Sequence, residues 1–461
     1  MQMRMNELWR RGRAGLGAAA AGLVLAACGG GGGGDGGPPP PLSCSVTDQK
    51  IWLADYMSDW YFWYAISPRP DPASYASVES LFDALLFPGN ATFPADRWSY
   101  ATPTVDYQRF FGDGQTLGFG VMVAGLEVSG HPDWPLYVRY IEPGSPAASA
   151  GVLRGDEILR INGRAVSDLI AANDFSALSA TATGQSLTML LDNGVSQRTV
   201  TLTSRVYDLV PVTNASVMST PGGRTVGYLQ LKDMVSQAER PFDTAFAQFR
   251  AAGVQDVVID LRYNGGGLVS TSGRLASYVS APRTAGQTYS KLLYNDRHAS
   301  SNQVFAFGNP ANALGLSRVY LLIGQRTCSA SEQLINALRP FVQVVTVGDT
   351  SCGKPVGFLP QDDGCGTTWS VVNFESVNSR NEGRYFDGFD ATCAVAEDYG
   401  QPLGTATEPL LATAMDHADT GACPVALGAK APGRARALAL RPLAERPHWL
   451  EPGDRRGMIG R

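Results

Sequence analysis

Five consecutive apolar residues, Val319-Tyr320-Leu321-Leu322-Ile323, cannot alternate between core and solvent, so they predict a strand covered on both faces. Ser329-Ala-Ser-Glu332 follows, with serine and glutamate at capping-box spacing. It opens a short helix, and Val342 to Val347 predicts a second buried strand. The rest of the chain is organised around this strand, helix and strand. They put Ser329 at a helix N-terminus and Lys354 just past a strand end. A serine beside a lysine in an apolar pocket is a nucleophile that needs no histidine. Burial disfavours the ammonium, and the neutral amine accepts the serine proton.

The same alternation recurs upstream. Thr225 to Leu231 and Asp256 to Leu261 predict strands, and Leu268 to Tyr278 predicts a helix. Ser236-Gln-Ala-Glu239 has capping-box spacing ahead of a helix that turns Phe242, Phe246 and Phe249 to the core. Alternating strands and helices indicate a parallel sheet in an α/β domain, bounded at 207–422, with a closing helix from Pro409 to Met415. Residues 423–461 are rich in Ala, Pro, Gly and Arg and predict a disordered tail.

At 461 residues the chain has room for two or three domains, and its net charge of −5 gives no reason to expect nucleic acid as a partner. Arg4, Arg10, Arg11 and Arg13 precede an apolar run that ends at Leu25-Ala-Ala-Cys28. Residues 1–28 thereby resemble a bacterial lipoprotein signal cleaved before Cys28, whose thiol would take the lipid; an ordinary secretory signal is the alternative. The Gly and Pro runs of 29–44 predict a tether. The expected location is the periplasmic side of the cell envelope, with the lipid as membrane anchor. Gly29 lacks the aspartate of inner-membrane retention, which favours the outer membrane. In an oxidising compartment Cys44, Cys328, Cys352, Cys365, Cys393 and Cys423 predict disulfides rather than zinc, and six cysteines allow fifteen pairings.

In 45–105, Trp52, Tyr56 and Trp60 repeat every four residues, and Leu81, Leu85 and Leu86 mark another helix. Together they predict a small helical domain with Trp60-Tyr-Phe-Trp-Tyr64 in its core. Residues 106–206 carry Thr116-Leu-Gly-Phe-Gly120 and Pro143-Gly-Ser-Pro-Ala-Ala-Ser-Ala-Gly-Val-Leu-Arg-Gly-Asp-Glu-Ile-Leu-Arg-Ile-Asn-Gly163, and so resemble a PDZ domain. The resemblance makes Leu117, Gly118, Phe119 and Gly120 the loop that binds a peptide's terminal carboxylate, while the peptide adds as a strand to a sheet edge.

Gly227-Tyr-Leu-Gln-Leu231, Asp260-Leu-Arg-Tyr-Asn-Gly-Gly-Gly267, and Ser329-Ala-Ser-Glu332 with Gly353-Lys354 downstream resemble the carboxyl-terminal processing (tail-specific) serine proteases. The resemblance implies a multidomain α/β chain: helical N-terminal domain, PDZ domain, and a crotonase-like or ClpP-like spiral protease domain. It makes Ser329 the nucleophile and Lys354 its general base. Gly266 or Gly267 and the Ala330 amide become the oxyanion donors, and Glu332 keeps a structural task at the helix start. A Cys328–Cys352 disulfide is expected because these cysteines flank the two catalytic segments. Many relatives carry a glutamine four residues after the lysine; here that position is Phe358, and Gln361 substitutes only if the loop bends back.

The four histidines lie in no triad motif, and no His/Cys spacing resembles a metal site, so no cofactor or metal is expected. Asp260 and Arg262 read as a structural ion pair. The chain is thus expected to be a serine endopeptidase acting on polypeptides with accessible C-termini. The alternative is a catalytically silent or partner-activated peptide-binding lipoprotein, with a regulatory protein as partner.

Overall fold

The computed structural model describes residues 39–123, 130–424 and 458–460. The signal, Cys28 and the tether as far as residue 38 lie outside the described residues, as does the tail over 425–457.

Helix α1 (Val46–Trp60) starts where the Ser45 side chain accepts from the Asp48 amide, and it buries Trp52, Leu53, Tyr56, Met57 and Trp60. The fourfold aromatic spacing is therefore its inner face, and the Trp52 and Tyr56 rings stack at 5.5 Å. Helix α2 (Val78–Leu85) is capped by Ser77 and Ser80. Strand β1 (Tyr100–Pro103) then pairs antiparallel with Thr367–Ser370, stitching the helical module to the distal half of the chain. The Asn373 amide reinforces this by donating to Tyr56 Oη at 3.2 Å and to the Trp60 carbonyl at 3.1 Å.

The next segment runs α3 (Thr104–Phe111), β2 (Gln115–Gly118), β3 (Val121–Val123), β4 (Leu136–Ile141), α4 (Pro146–Ser149), β5 (Glu157–Ile161), β6 (Arg164–Ala165), α5 (Val166–Ala172), β7 (Ser186–Asp192), β8 (Gln197–Thr203) and β9 (Arg205–Asp208). Strands β3-β4-β5-β7-β8 form an antiparallel sheet, and β2 pairs with β9. Strand β7 alternates as a one-sided sheet requires, with Leu187, Met189 and Leu191 fully buried. These side chains share a core of their own with Val138, Ile158 and Leu169.

Beyond it, β10 (Val212–Ser219) runs antiparallel to β11 (Thr225–Leu231). Parallel strands β12 (Asp256–Asp260), β15 (Arg318–Ile323), β16 (Gln343–Gly348) and β21 (Cys393–Ala394) complete that sheet. The five-residue apolar run is covered on both faces. Val319, Leu321 and Ile323 pack with the cluster that holds α6 (Glu239–Ala251), α7 (Val269–Ser280) and α8 (Ala330–Leu338). Tyr320 and Leu322 pack under Leu410, Leu411 and Ala414 of α9 (Pro409–Thr420). A second sheet has the order β14 (Gln303–Ala306), β13 (Thr288–Tyr294), β20 (Val372–Val377), β17 (Val356–Phe358) and β22 (Met458–Ile459). A short hairpin, β18 (Gln361–Asp362) and β19 (Thr367–Ser370), carries β1.

Two expectations are corrected. No capping box forms at Ser236: a single 3-10 turn covers Ser236–Ala238, the Ser236 hydroxyl bonds Gln237, and α6 begins at Glu239 without a side-chain cap. The expected tail is not irregular throughout either, because Met458 and Ile459 are a fully buried strand. Disulfides join Cys44–Cys365, Cys328–Cys352 and Cys393–Cys423. Among the described residues no helix is long and apolar enough to cross a membrane.

Candidate active site

The chain leaves β15 at Ile323 and crosses to α8 through a tightly held turn. Thr327 Oγ1 donates to the Leu261 carbonyl at 2.8 Å, and the Cys328 amide to the Asn264 carbonyl at 3.1 Å. Ser329 then adopts φ 61° and ψ −114°. A non-glycine residue held there costs on the order of 1–3 kcal/mol, which the surroundings must offset. They do so through the Ser329 amide on Glu332 Oε2 at 2.9 Å, the Gln333 amide on the Ser329 carbonyl at 2.8 Å, and the neighbouring disulfide.

Glu332 is wholly buried and organises the site. Its Oε1 accepts from Ser351 Oγ at 2.6 Å and the Gly353 amide at 2.7 Å; its Oε2 accepts from the amides of Ser329 at 2.9 Å and Lys354 at 2.8 Å. Burial nevertheless pushes its carboxyl above the ordinary range, against the hydrogen bonds that favour the anion. One carboxylate thus fixes both the serine and the lysine backbones. Lys354 is 2 % exposed and Ser329 fully buried. Lys354 Nζ lies over the Phe358 ring, 4.0 Å from its centroid. Gln361 does not bend back towards it: this residue is part of β18, opposite Trp369, with its side chain on the Leu359 carbonyl at 3.5 Å.

The glycine run is held by Asn264, whose Oδ1 accepts from the Gly266 amide at 2.8 Å and from Ser331 Oγ at 2.8 Å. This corrects the expectation for Gly266 as a donor, since its N–H is already committed. What Gly266 supplies is space: a Cβ there would stand 3.0 Å from both the Ala330 nitrogen and Ser329 Cβ. At Gly267 a Cβ would collide with the Met234 carbonyl at 2.1 Å. Ala330 is the first residue of α8, at the positive end of the helix. Sequence reading missed Asn264 and Ser351 as supports, although Asn264 sits inside a quoted motif and Ser351 stands two residues before Gly353. It also missed Met458, whose amide donates to Ser329 Oγ.

Leu117, Gly118, Phe119 and Gly120 line a separate open cleft, together with Leu178 and Lys232. The carbonyls of Phe119 and Gly120 are taken by the amides of Ala147 and Glu142, each at 2.9 Å. Gly120 has φ +76° and passes so close to Ser145 that a Cβ would sit 2.0 Å from that side chain's Cβ. Lys232 makes ion pairs at 3.6 Å with Glu142 and Asp233.

Asp260 and Arg262 pair at 2.9 Å, and Arg262 also grips Glu408 through two bonds of 2.7 and 2.9 Å. Arg154, in the β-rich segment, donates to Tyr263 Oη at 2.6 Å and to Glu397 at 2.9 Å. Burial pushes the Glu397 carboxyl up, but Arg154, Arg262 and Arg139 more than reverse this and hold it at about 2.

The site thus combines a β-rich module set against a mixed α/β body with a buried serine on a strained bend before a helix. Three family models match in sequence: the peptidase S41 N-terminal domain over 48–100, a PDZ domain over 137–193, and peptidase family S41 over 225–377. The chain is 27% identical over 266 residues to the chloroplastic C-terminal processing peptidase of Tetradesmus obliquus, covering 55% of this chain and 56% of that one. It is 28% identical over 257 residues to the carboxyl-terminal-processing protease of a Picosynechococcus strain, covering 55% and 59%. The chain therefore spans a little over half the length of these curated relatives. Its fold is shared with a solved S41 protease candidate from Bacteroides fragilis (TM-score 0.65, 24% identity, 81% of this chain and 98% of that one). A photosystem II D1 C-terminal processing protease also aligns (TM-score 0.50, 19% identity, 80% and 100%). The chain belongs to the S41 family of carboxyl-terminal processing peptidases.

Proposed function

We propose that this chain is a serine endopeptidase of the cell envelope that captures polypeptide C-termini on its PDZ loop and cleaves them with Ser329 and Lys354. Lys354 takes the Ser329 proton as Oγ attacks the scissile carbonyl, and the Ala330 amide faces the developing oxyanion. Lys354 returns the proton to the leaving amine, and water activated by the same lysine then releases the acyl group. Lipidation at Cys28 would hold the enzyme on the periplasmic side, at the outer membrane. The observation that supports this reading most is the single Glu332 oxygen bound by the amides of both Ser329 and Lys354, which ties nucleophile and base to one point.

The test uses the chain from residue 29 onward, so that Cys44 is kept, and an unstructured substrate with a free or an amidated apolar tail. Cleavage is followed by intact mass. Cutting of the free-tailed substrate that disappears in both Ser329→Ala and Lys354→Ala supports the dyad, and a drop on amidation supports tail capture. Binding without cutting would transfer the chain to the silent or partner-activated class, a reading that the aromatic residue under Lys354 keeps in play.

A further inference from the structure

Met458–Gly460 lies between two edges of the α/β body. Strand β22 runs parallel to β17, with Met458 opposite Gly357 and Ile459 opposite Phe358. On its other side Ile459 bridges Leu268, its amide donating to the Gly267 carbonyl at 2.9 Å. The Gly460 amide donates to the Phe358 carbonyl at 3.2 Å, and the Met458 amide to Ser329 Oγ. Gly357 has room for no side chain here, because its Cβ would stand 2.3 Å from the Phe374 ring and 2.6 Å from the Met458 carbonyl oxygen. Met458 and Ile459 are fully buried, and Gln333 Nε2 reaches Met458 Sδ at 3.4 Å. A short extended segment paired through its backbone on both sides, with one amide on the nucleophile and its apolar side chains seated in the core, has the form of a bound peptide added as a strand.

We infer that Met458–Gly460 occupies in cis the groove where a substrate strand lies, so that an incoming polypeptide reaches Ser329 only by displacing part of the enzyme. The inference rests on Ser329 being the nucleophile of the proposed peptidase. Covalent attachment makes the occupancy independent of protein concentration, and a substrate must compete with an intramolecular rival. The groove's own ligand then describes what it accepts: an extended segment with an unbranched apolar residue beside Gln333, followed by a branched one.

Hydrogen exchange on the full chain tests the occupancy without any substitution. The Ile459 amide should exchange far more slowly than a free peptide amide. In Ser329→Ala, saturation with a synthetic peptide of sequence Gly-Met-Ile-Gly-Arg should release that protection. Two variants, Ile459→Asp and Met458→Lys, should each raise the rate at which a small fluorophosphonate labels Ser329 by about tenfold or more. They should also tighten binding of the synthetic peptide when combined with Ser329→Ala. An unprotected Ile459 amide, or equal peptide binding with and without Ile459→Asp, overturns the inference. If no chain is labelled but protection and peptide competition are both seen, the occupancy stands and the catalytic reading falls.

Discussion

Lys354 Nζ stands 4.0 Å from the centre of the Phe358 ring, and that ring is fully buried. The negative face of an aromatic ring attracts an ammonium, so Phe358 is a direct neighbour of the charge on the proposed base. Phe358→Leu keeps an apolar side chain and removes that attraction. The variant should change kcat/KM measurably, at a stability loss of about 1 kcal/mol. Phe358→Gln, which offers an acceptor instead, should raise kcat near neutral pH. An unchanged kcat/KM in both variants would show that the ring does not act on the proposed base.

Removing Glu332 leaves the amides of Ser329, Gly353 and Lys354 and the Ser351 hydroxyl without their acceptor. Buried donors left this way cost about 1–3 kcal/mol each before relaxation. Glu332→Ala is expected to lower the denaturant midpoint sharply and to abolish cleavage. Glu332→Gln, with one oxygen remaining, should fall between it and the parent.

Glu397 gives the stability a signed pH dependence. Its folded-state value of about 2 lies below the ordinary carboxyl value of 4.5, so its contribution is present above pH 4.5 and is lost as pH falls towards 2. The melting-temperature gap between the parent and Glu397→Gln should close across that window. A gap that stays constant down to pH 2 would contradict the assignment of this carboxylate to the Arg154–Arg262 cluster.

The Cys328–Cys352 bond closes a short loop that contains Ser329 and ends two residues before Lys354, whereas Cys44–Cys365 spans most of the described chain. Cys328→Ala/Cys352→Ala is therefore expected to cut kcat at least tenfold, because it loosens the positive-φ bend. Cys44→Ala/Cys365→Ala should lower stability by about 2–4 kcal/mol and leave kcat within twofold. Parallel denaturation and progress curves on both double variants separate the two effects.

At Gly120 both the positive φ and the closeness of Ser145 forbid a side chain. Gly120→Ala should erase any preference for a free over an amidated tail while cleavage of either substrate continues. Retained discrimination would move tail recognition away from this loop.

The apolar run at 319–323 and the aromatic repeat at 52, 56 and 60 were legible because burial pattern follows directly from spacing. Ser329 and Lys354 were legible as motif residues, yet the device that links them was not. Glu332 joins them through main-chain amides, which leave no trace in residue type. The fate of the Gly266 amide was hidden for a related reason: an asparagine two residues away competes for it, and composition does not show which way a glycine peptide turns. Met458–Ile459 defeated the reading because two apolar residues among arginines and glycines bury nothing by themselves. They become a strand only against edges supplied from residues 267 and 357.

The bond between Cys44 and Cys365 also fixes where mechanical load enters the molecule. It joins the residue just ahead of α1 to the tip of the β18–β19 hairpin. A pull arriving along the chain before Cys44 divides at that cystine, part going into the helix and part directly into the hairpin on which β1 is laid. The helix cannot be peeled away from its first turn while the crosslink is closed. Reduction would turn the same pull into an unzipping force on the aromatic face of α1.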